Sequence, residues 1–236
     1  MYLKSLAVLG GGERPVAVAE LAQRLSVTPA ATNEMLRRLV REDLAAHDPY
    51  RGFRLTETGR EAARDVIRRE RLWERFLVDH LALDATQATG WACLLEHATA
   101  PEVIDALDAF LGYPATCPQG QPVPRSPGDR VSLEGQSLAD ANVGDVVRLV
   151  AFDDEDPEVL GYLRERGLLI GTAVRVTEVG PRHSVIGVEH EGGSAVIGTE
   201  LASSIHTVPA VPVKPEVPAL RAELAIDIPS PPVTAR

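Results

Sequence analysis

Cysteine is scarce in this chain: Cys93 and Cys117 are the only two among 236 residues. Two cysteines cannot build a disulfide framework, and in a reducing compartment each serves as a free thiol or a ligand. Long apolar runs are missing too, since no stretch approaches the roughly 18 to 20 residues that span a bilayer. The opening MYLKSLAVLGGGERP lacks the basic start and cleavage pattern of a signal peptide. These shortages point to a cytoplasmic location with no membrane partner. There is no internal repeat. What is present is a hydrophobic fraction of 44%, ordinary for a globular protein, in a chain long enough for two or three small domains, each with its own core.

Positive charge is short as well, and the net charge of -10 argues on its face against nucleic acid. The total conceals a split. Residues 1 to 70 hold 12 Lys and Arg against 10 Asp and Glu, whereas residues 71 to 236 hold the other 12 basic side chains against 24 acidic ones. A nearly neutral, arginine-bearing N-terminal part therefore precedes an acidic remainder, and binding of a DNA duplex by the first part stays open.

The N-terminal part reads as helices. YLKSLAVL ends at the Gly10 to Gly12 break, and VAVAELAQRLS carries Val18, Leu21, Ala22 and Leu25 on one helical face. VTPAATNEMLRRLVREDLA follows, with Thr28 as N-cap, Pro29 at the first helical position and Met35, Leu36, Leu39 and Val40 as the expected buried stripe. Two helices joined by a short turn, the second rich in arginine, make a helix-turn-helix candidate. AAHDPYRGFRLTETG reads as a β-hairpin wing, with Arg51 at its tip and Arg54 in the returning strand placed to meet phosphates. A long amphipathic helix, Arg60 to His80, and helices over Thr86 to Ala98 and Pro101 to Leu111 complete this half.

GYPATCPQGQPVPRSPGD, Gly112 to Asp129, is rich in Pro and Gly and reads as a linker. Beyond it the hydrophobic period becomes alternating. GDVVRLVAF, GTAVRVTEVG, SVIGVEHEGG and SAVIGT are short strands between Gly turns, with one helical insert, PEVLGYLRERG. A small β-barrel is expected. The tail from Pro209 to Arg236, with Pro every few residues and few large apolar groups, is expected to be disordered.

CLLEH, Cys93 to His97, carries three potential metal donors. On a helix Cys93, Glu96 and His97 occupy i, i+3 and i+4, so thiolate, carboxylate and imidazole can converge on one ion. From the pentapeptide alone, a buried small cysteine beside a surface Glu-His pair is the favoured reading. A Cys-His nucleophile pair fits less well, because nothing nearby supplies an oxyanion hole or an orienting group.

The order of winged helix, long helix, C-x-x-E-H helix, Pro-rich segment and small barrel resembles the diphtheria-toxin-repressor family of iron- and manganese-dependent transcriptional regulators, over residues 1 to 207. MYLKSL, LSVTPAATNEMLRRLVREDL, YRGFRLTETGREAA, RERLWERFL and CLLEH carry the likeness, together with EDPEVLGYLRERGLLIGTAVRV, which is similar to the SH3-like domain of that family and of ferrous-iron-transport accessory proteins. The resemblance implies a mainly α N-terminal part with a C-terminal SH3-like barrel. Its divisions would be a winged helix-turn-helix DNA-binding domain at 1-66, a helical dimerisation and metal-binding domain at 67-111, a Pro-rich linker at 112-137, the SH3-like domain at 138-207 and a tail at 208-236.

It further implies a primary metal site at Met1, Cys93, Glu96 and His97. Sulfur at the first two positions is the iron-type pattern, soft ligands suiting Fe(II) better than Mn(II). An ancillary site would fall at Glu70, Glu74, Glu155 and Glu158, with Thr89 where iron-type members have a histidine, and this oxygen-rich set suits manganese. The same glutamates also fit solvated helix faces. On the weighing of the two sites the implied cofactor is manganese (Mn2+), with iron (Fe2+) the alternative. For DNA, Thr28, Ala30, Ala31, Asn33 and Glu34 occupy the turns that reach base edges. Ala30 and Ala31 suit thymine methyls, and Glu34, where the family carries Gln or Lys, can only accept, as from cytosine N4. Arg37, Arg38 and Arg41 contact phosphates or else pair with Glu34 and Glu42. The expected protein is a homodimeric regulator that binds double-stranded operator DNA when metal occupies the Cys93 site. A winged-helix regulator of a non-metal signal, and a metal or thiol enzyme, are the alternatives.

Overall fold

The computed structural model describes residues 1–129, 133, 135–154 and 156–210, which fall into two compact units. The first is Met1–Arg69 with Val123–Ser132, and the second is Glu70–Pro122 with Leu133–Arg236.

In the first unit three short helices precede a hairpin: α1 (Tyr2–Val8), α2 (Val18–Arg24), α3 (Pro29–Arg41), β1 (Ala45–Asp48) and β2 (Gly52–Leu55). Thr28 starts α3 as expected, its hydroxyl accepting from the Ala31 amide at 3.3 Å with Pro29 at the first position. The buried stripe of α3 is shifted from the expected one. Thr32, Leu36 and Leu39 are buried, Met35 is half-buried and Val40 is exposed. Thr32 can enter the core because its hydroxyl donates back to the Thr28 carbonyl at 3.1 Å, so no polar atom is stranded. Leu6, Leu21, Leu36, Phe53, Leu55 and Ala63 form the core of this unit. Val16 exchanges two backbone hydrogen bonds with Phe53, at 2.8 and 2.9 Å, which pulls the chain before α2 against the wing. Gly52 is required there: its φ is +118° and a Cβ would lie 2.0 Å from the Val16 carbonyl oxygen.

α4 (Glu57–Asp79) begins in the first unit and enters the second. The second unit adds α5 (Ala85–Ala98) and α6 (Pro101–Phe110), which precede the strands β3 (Gln136–Ser137), β4 (Val146–Phe152), β5 (Ala173–Val179), β6 (Val185–His190), β7 (Gly193–Gly198) and β8 (Ile205–Pro209). Helices α7 (Pro157–Glu165) and α8 (Thr199–Ser203) are inserted after β4 and β7. The sheet is antiparallel in the order β3-β8-β4-β5-β6-β7, with register shifts at Leu149/Ala151 and Val176/Glu178 that bend it around Leu149, Leu163, Val176, Ile186 and Ile197. The alternating hydrophobic period of the sequence is thus answered by one sheet with its buried face turned inward.

Two segments differ from their compositional reading. The Pro- and Gly-rich stretch from Gly112 is packed rather than extended, with Cys117, Gln119, Gln121 and Val123 all buried. Hydrogen bonds explain this, since the Cys117 amide donates to Gln121 O at 2.8 Å and the Phe152 amide to Gln119 O at 3.0 Å, a tight turn laid on β4. At the other end Val208 and Pro209 belong to β8 and pair with β4. The rest of the Pro-rich tail, 211–236, lies outside the described residues.

Candidate DNA-reading helix and metal centre

With Thr32, Leu36 and Leu39 buried, the opposite face of α3 presents Ala30, Ala31, Glu34, Arg37, Arg38 and Arg41 to solvent, Asn33 being half-buried. The Thr28 hydroxyl, although exposed, is engaged as the cap. Arg38 pairs with Glu42 at 2.9 Å, the helical pairing weighed above, and the carboxylate raises the guanidinium pKa further. Arg51 and Arg54 project from the wing, and Tyr50 at its tip is fully exposed at φ +65°. His47 and Phe53 of the wing, their ring centroids 4.8 Å apart, line a crevice of about 360 Å³ together with Asn33, Arg37, Val40 and Arg41. The sequence reading did not single out Tyr50 or His47. Their position at and beside the Tyr50-Arg51-Gly52 turn was the available signal.

The candidate metal ligands lie on α5, which Asp84 starts by accepting from the Thr86 amide at 2.9 Å. The backbone places Cys93, Glu96 and His97 on a shared face. Glu96 is buried, Cys93 is half-buried, and His97 is exposed with Nε2 3.2 Å from Glu96 Oε1. Ala88 and Ala92 pack inward with Leu77 and Leu83, and Leu95, Trp73 and Trp91 lie against that cluster. Among the described residues no group of three or more His, Cys, Asp and Glu is drawn together closely enough to hold an ion. The helix supplies the face; a turn of the solvent-exposed His97 side chain is needed to complete it. A thiolate, a carboxylate and an imidazole are a donor set that fits a borderline transition-metal ion. Met1, the fourth expected ligand, is exposed at the N-cap of α1 in the other unit.

The ancillary set is placed differently. Glu70 and Glu74 on α4 are buried, and Glu158 is exposed in the first turn of α7, while Glu155 lies outside the described residues. Glu74 is held by protein atoms: the Thr89 hydroxyl lies 3.1 Å from its Oε1, and Gln119 Nε2 donates to that hydroxyl at 3.0 Å. The Cys117 thiol in turn donates to Gln119 Oε1 at 3.3 Å. Burial pushes the Cys117 thiol up to about 12, the Glu74 carboxylate adding to the shift, while Arg71 opposes it. Arg71 Nη1 donates to the Pro122 carbonyl at 2.5 Å. Cys117, Gln119 and Gln121 were missed in the sequence, where a Cys and two Gln in a Pro-rich run were the only sign of a buried polar turn.

Three family models match successive parts of the chain: the iron-dependent repressor N-terminal DNA-binding domain over residues 1–53, the iron-dependent repressor metal-binding and dimerisation domain over 56–125, and the FeoA domain over 136–209. Among curated proteins the iron-dependent repressor IdeR of Mycobacterium tuberculosis is 30% identical over 217 residues, 83% of this chain and 94% of its own. The diphtheria toxin repressor of Corynebacterium glutamicum is 27% identical over 215 residues, 87% and 93% of the two chains. Among solved structures the manganese regulator SloR superposes with a TM-score of 0.78 at 28% identity, covering 89% of this chain and 97% of that one. ScaR with bound Zn2+ does so at 0.77 and 29%, covering 89% and 98%.

Proposed function

The chain belongs to the iron-dependent repressor family, and on that footing we propose that divalent metal at the Cys93, Glu96 and His97 face of α5 switches its winged helix onto operator DNA. At the coarser level it is a metal-dependent DNA-binding repressor and not an enzyme. No helix of the described residues is long and apolar enough to cross a membrane. A homodimer is the assembly of this family's dimerisation domain, and the exposed Val103, Phe110 and Tyr113 on and just beyond α6 give that domain an apolar surface to bury against a second copy.

The observation that carries the metal reading is the α5 face itself. Cys93, Glu96 and His97 share one side of that helix, a buried carboxylate next to an exposed imidazole and a half-buried thiol, so an ion there would meet three donors of a set suited to a borderline transition metal. Bound there, an ion would supply the positive charge that a thiolate, a carboxylate and an imidazole on one face are suited to hold. His97 would turn from solvent toward the ion, and Glu96 would exchange its contact with His97 for the ion. The protein's equilibrium thereby shifts toward the conformer whose two α3 helices fit successive major-groove faces. On α3, Ala30 and Ala31 are proposed to meet thymine methyls, with Asn33 and Glu34 reading base edges and Arg37 and Arg51 holding phosphates.

Manganese, which the carboxylate-rich ancillary set suited in the sequence, and iron, which suits the Cys93 sulfur, are the two candidate ions. Manganese regulators are among the similar structures and iron-dependent repressors among the similar sequences, and the Cys93 sulfur favours iron. The test is binding of labelled operator DNA, selected from a random pool, with chelator and then with Mn(II), Fe(II) or Zn(II). Affinity should rise on metal addition in the wild type and stay low in Cys93→Ala. Affinity unmoved by chelator and by that substitution defeats the metal switch, and the tightest response among the ions names the effector.

A further inference from the structure

Glu74 and Thr89 are a buried polar pair on α4 and α5 in the second unit, and what they contact is the turn beyond α6. Cys117, Gln119, Thr89 and Glu74 are each more than nine-tenths buried and are joined in that order by three hydrogen bonds of 3.3, 3.0 and 3.1 Å. The donors and acceptors balance. The Thr89 hydroxyl has one proton and two acceptors in reach, the Glu74 carboxylate and the Ala85 carbonyl, both at 3.1 Å, and the carboxylate is the stronger.

The same turn grips the sheet on its other side. The Phe152 amide donates to Gln119 O at 3.0 Å, and Gln121 Nε2 donates both to Phe152 O and to Asp153 Oδ1 at 2.9 Å. Asp153 Oδ2 is 2.7 Å from His206 Nε2 on β8. The fit over β4 is close: Gly120 sits at φ +80°, and a Cβ there would lie 1.9 Å from the Val150 carbonyl oxygen. A second tie joins the same elements, because Arg164 of α7 pairs with Asp84, the cap of α5. Every one of these contacts lies within a single compact unit.

We propose that Cys117, Gln119, Thr89 and Glu74 form a latch made of protein atoms alone, which fastens the turn Cys117–Pro122, and through it the β-sheet domain, onto α4 and α5. In this chain the latch does the work that a second metal would otherwise do. Among the described residues the expected ancillary ligands are not gathered around an ion: Glu74 faces the Thr89 hydroxyl, Thr89 offers a weak neutral donor, and Glu158 is exposed. Thr89 and Gln119 are therefore positioning residues for α5, the helix that bears Cys93, Glu96 and His97. The latch goes beyond the metal-switch reading and stands without it.

The test is hydrogen exchange on the full chain dialysed against chelator. The amides of Phe152, Cys117 and Gly120 should already be protected, and addition of Mn(II) should leave them so. Thr89→Val keeps the side-chain shape but removes the hydroxyl, and it should speed their exchange roughly ten-fold. Thr89→Ser should restore protection, while amides of β5 and β6 stay unchanged in all three proteins, which separates loss of the latch from unfolding. If these amides exchange freely in chelated wild type and become protected only with Mn(II), the latch is refuted whatever the variants do. It is equally refuted if Thr89→Val changes nothing. Mn(II) titration should give one ion per protomer, and a second ion that vanishes in Glu74→Gln overturns the proposal. Binding of no Mn(II) at all defeats the metal switch and leaves the latch in place.

Discussion

Two sets of metal-ligand chemistry lie on neighbouring helices and meet opposite fates. On α5, Cys93 is half-buried and His97 exposed beside the buried Glu96, so solvent reaches this face. Around Glu74 the donors are enclosed and already satisfy one another. Residue type alone does not distinguish the two, since each contains a cysteine, a glutamate and a polar partner. The difference is how far solvent reaches each set: His97 is exposed and Cys93 half-buried, whereas Cys117, Gln119, Thr89 and Glu74 are all buried. A carboxylate enclosed among protein donors is out of a cation's reach, whereas one bordered by a solvent-exposed imidazole is not.

The sharpest way to break this comparison is thiol chemistry. At pH 8 a thiol pushed up to about 12 holds roughly one thiolate in ten thousand, so iodoacetamide should modify Cys93 at least about 1000-fold faster than the enclosed Cys117. Mn(II) should slow the Cys93 reaction and leave Cys117 alone; mass spectrometry of the two peptides reads both rates, and equal rates would sink the distinction between an open and a closed set. The next effect is on DNA. Cys93→Ala or chelation should weaken operator binding by about 10- to 100-fold, the range of ordinary allosteric coupling, while Glu74→Gln should change the metal response by less than about three-fold.

Smaller effects sharpen the closed side. Thr89→Val strands the Gln119 amide and should lower the stability of the second unit by about 1–3 kcal/mol in chemical denaturation, with the transition of the first unit unmoved. Arg164→Ala removes a partly exposed ion pair and should cost about 0.5 kcal/mol or less, with no loss of operator affinity at saturating metal. A cost several times larger would make that pair, and not the buried chain, the main fastening.

The sequence was most informative where the determinants are local. Thr28-Pro29 starts α3 where expected because cap and first turn are contiguous, and the wing follows from a Gly52 that no other residue replaces without clash. The shared face of Cys93, Glu96 and His97 is a matter of helical period, and so was legible in five letters. It was less informative where a property belongs to several segments at once. Val40 satisfies the helical stripe yet is exposed, since the core of the first unit takes up Thr32 instead. The Pro- and Gly-rich run after α6 has linker composition but becomes a buried turn, because its polar groups meet partners on β4, α4 and α5.

By itself, then, the sequence determined the order of the modules, the second helix of the helix-turn-helix with its exposed arginines and the shared face of Cys93, Glu96 and His97 on α5. Each of these rests on residues within a turn or two of one another. Only the tertiary structure decided which polar side chains are enclosed by protein partners. Glu74 meets Thr89 across 15 residues and Thr89 meets Gln119 across 30, and no local pattern records that those side chains end within 3.1 Å of one another. The physical reason is that hydrogen-bond satisfaction is a property of the packed interior, settled only when segments distant in the chain are brought together.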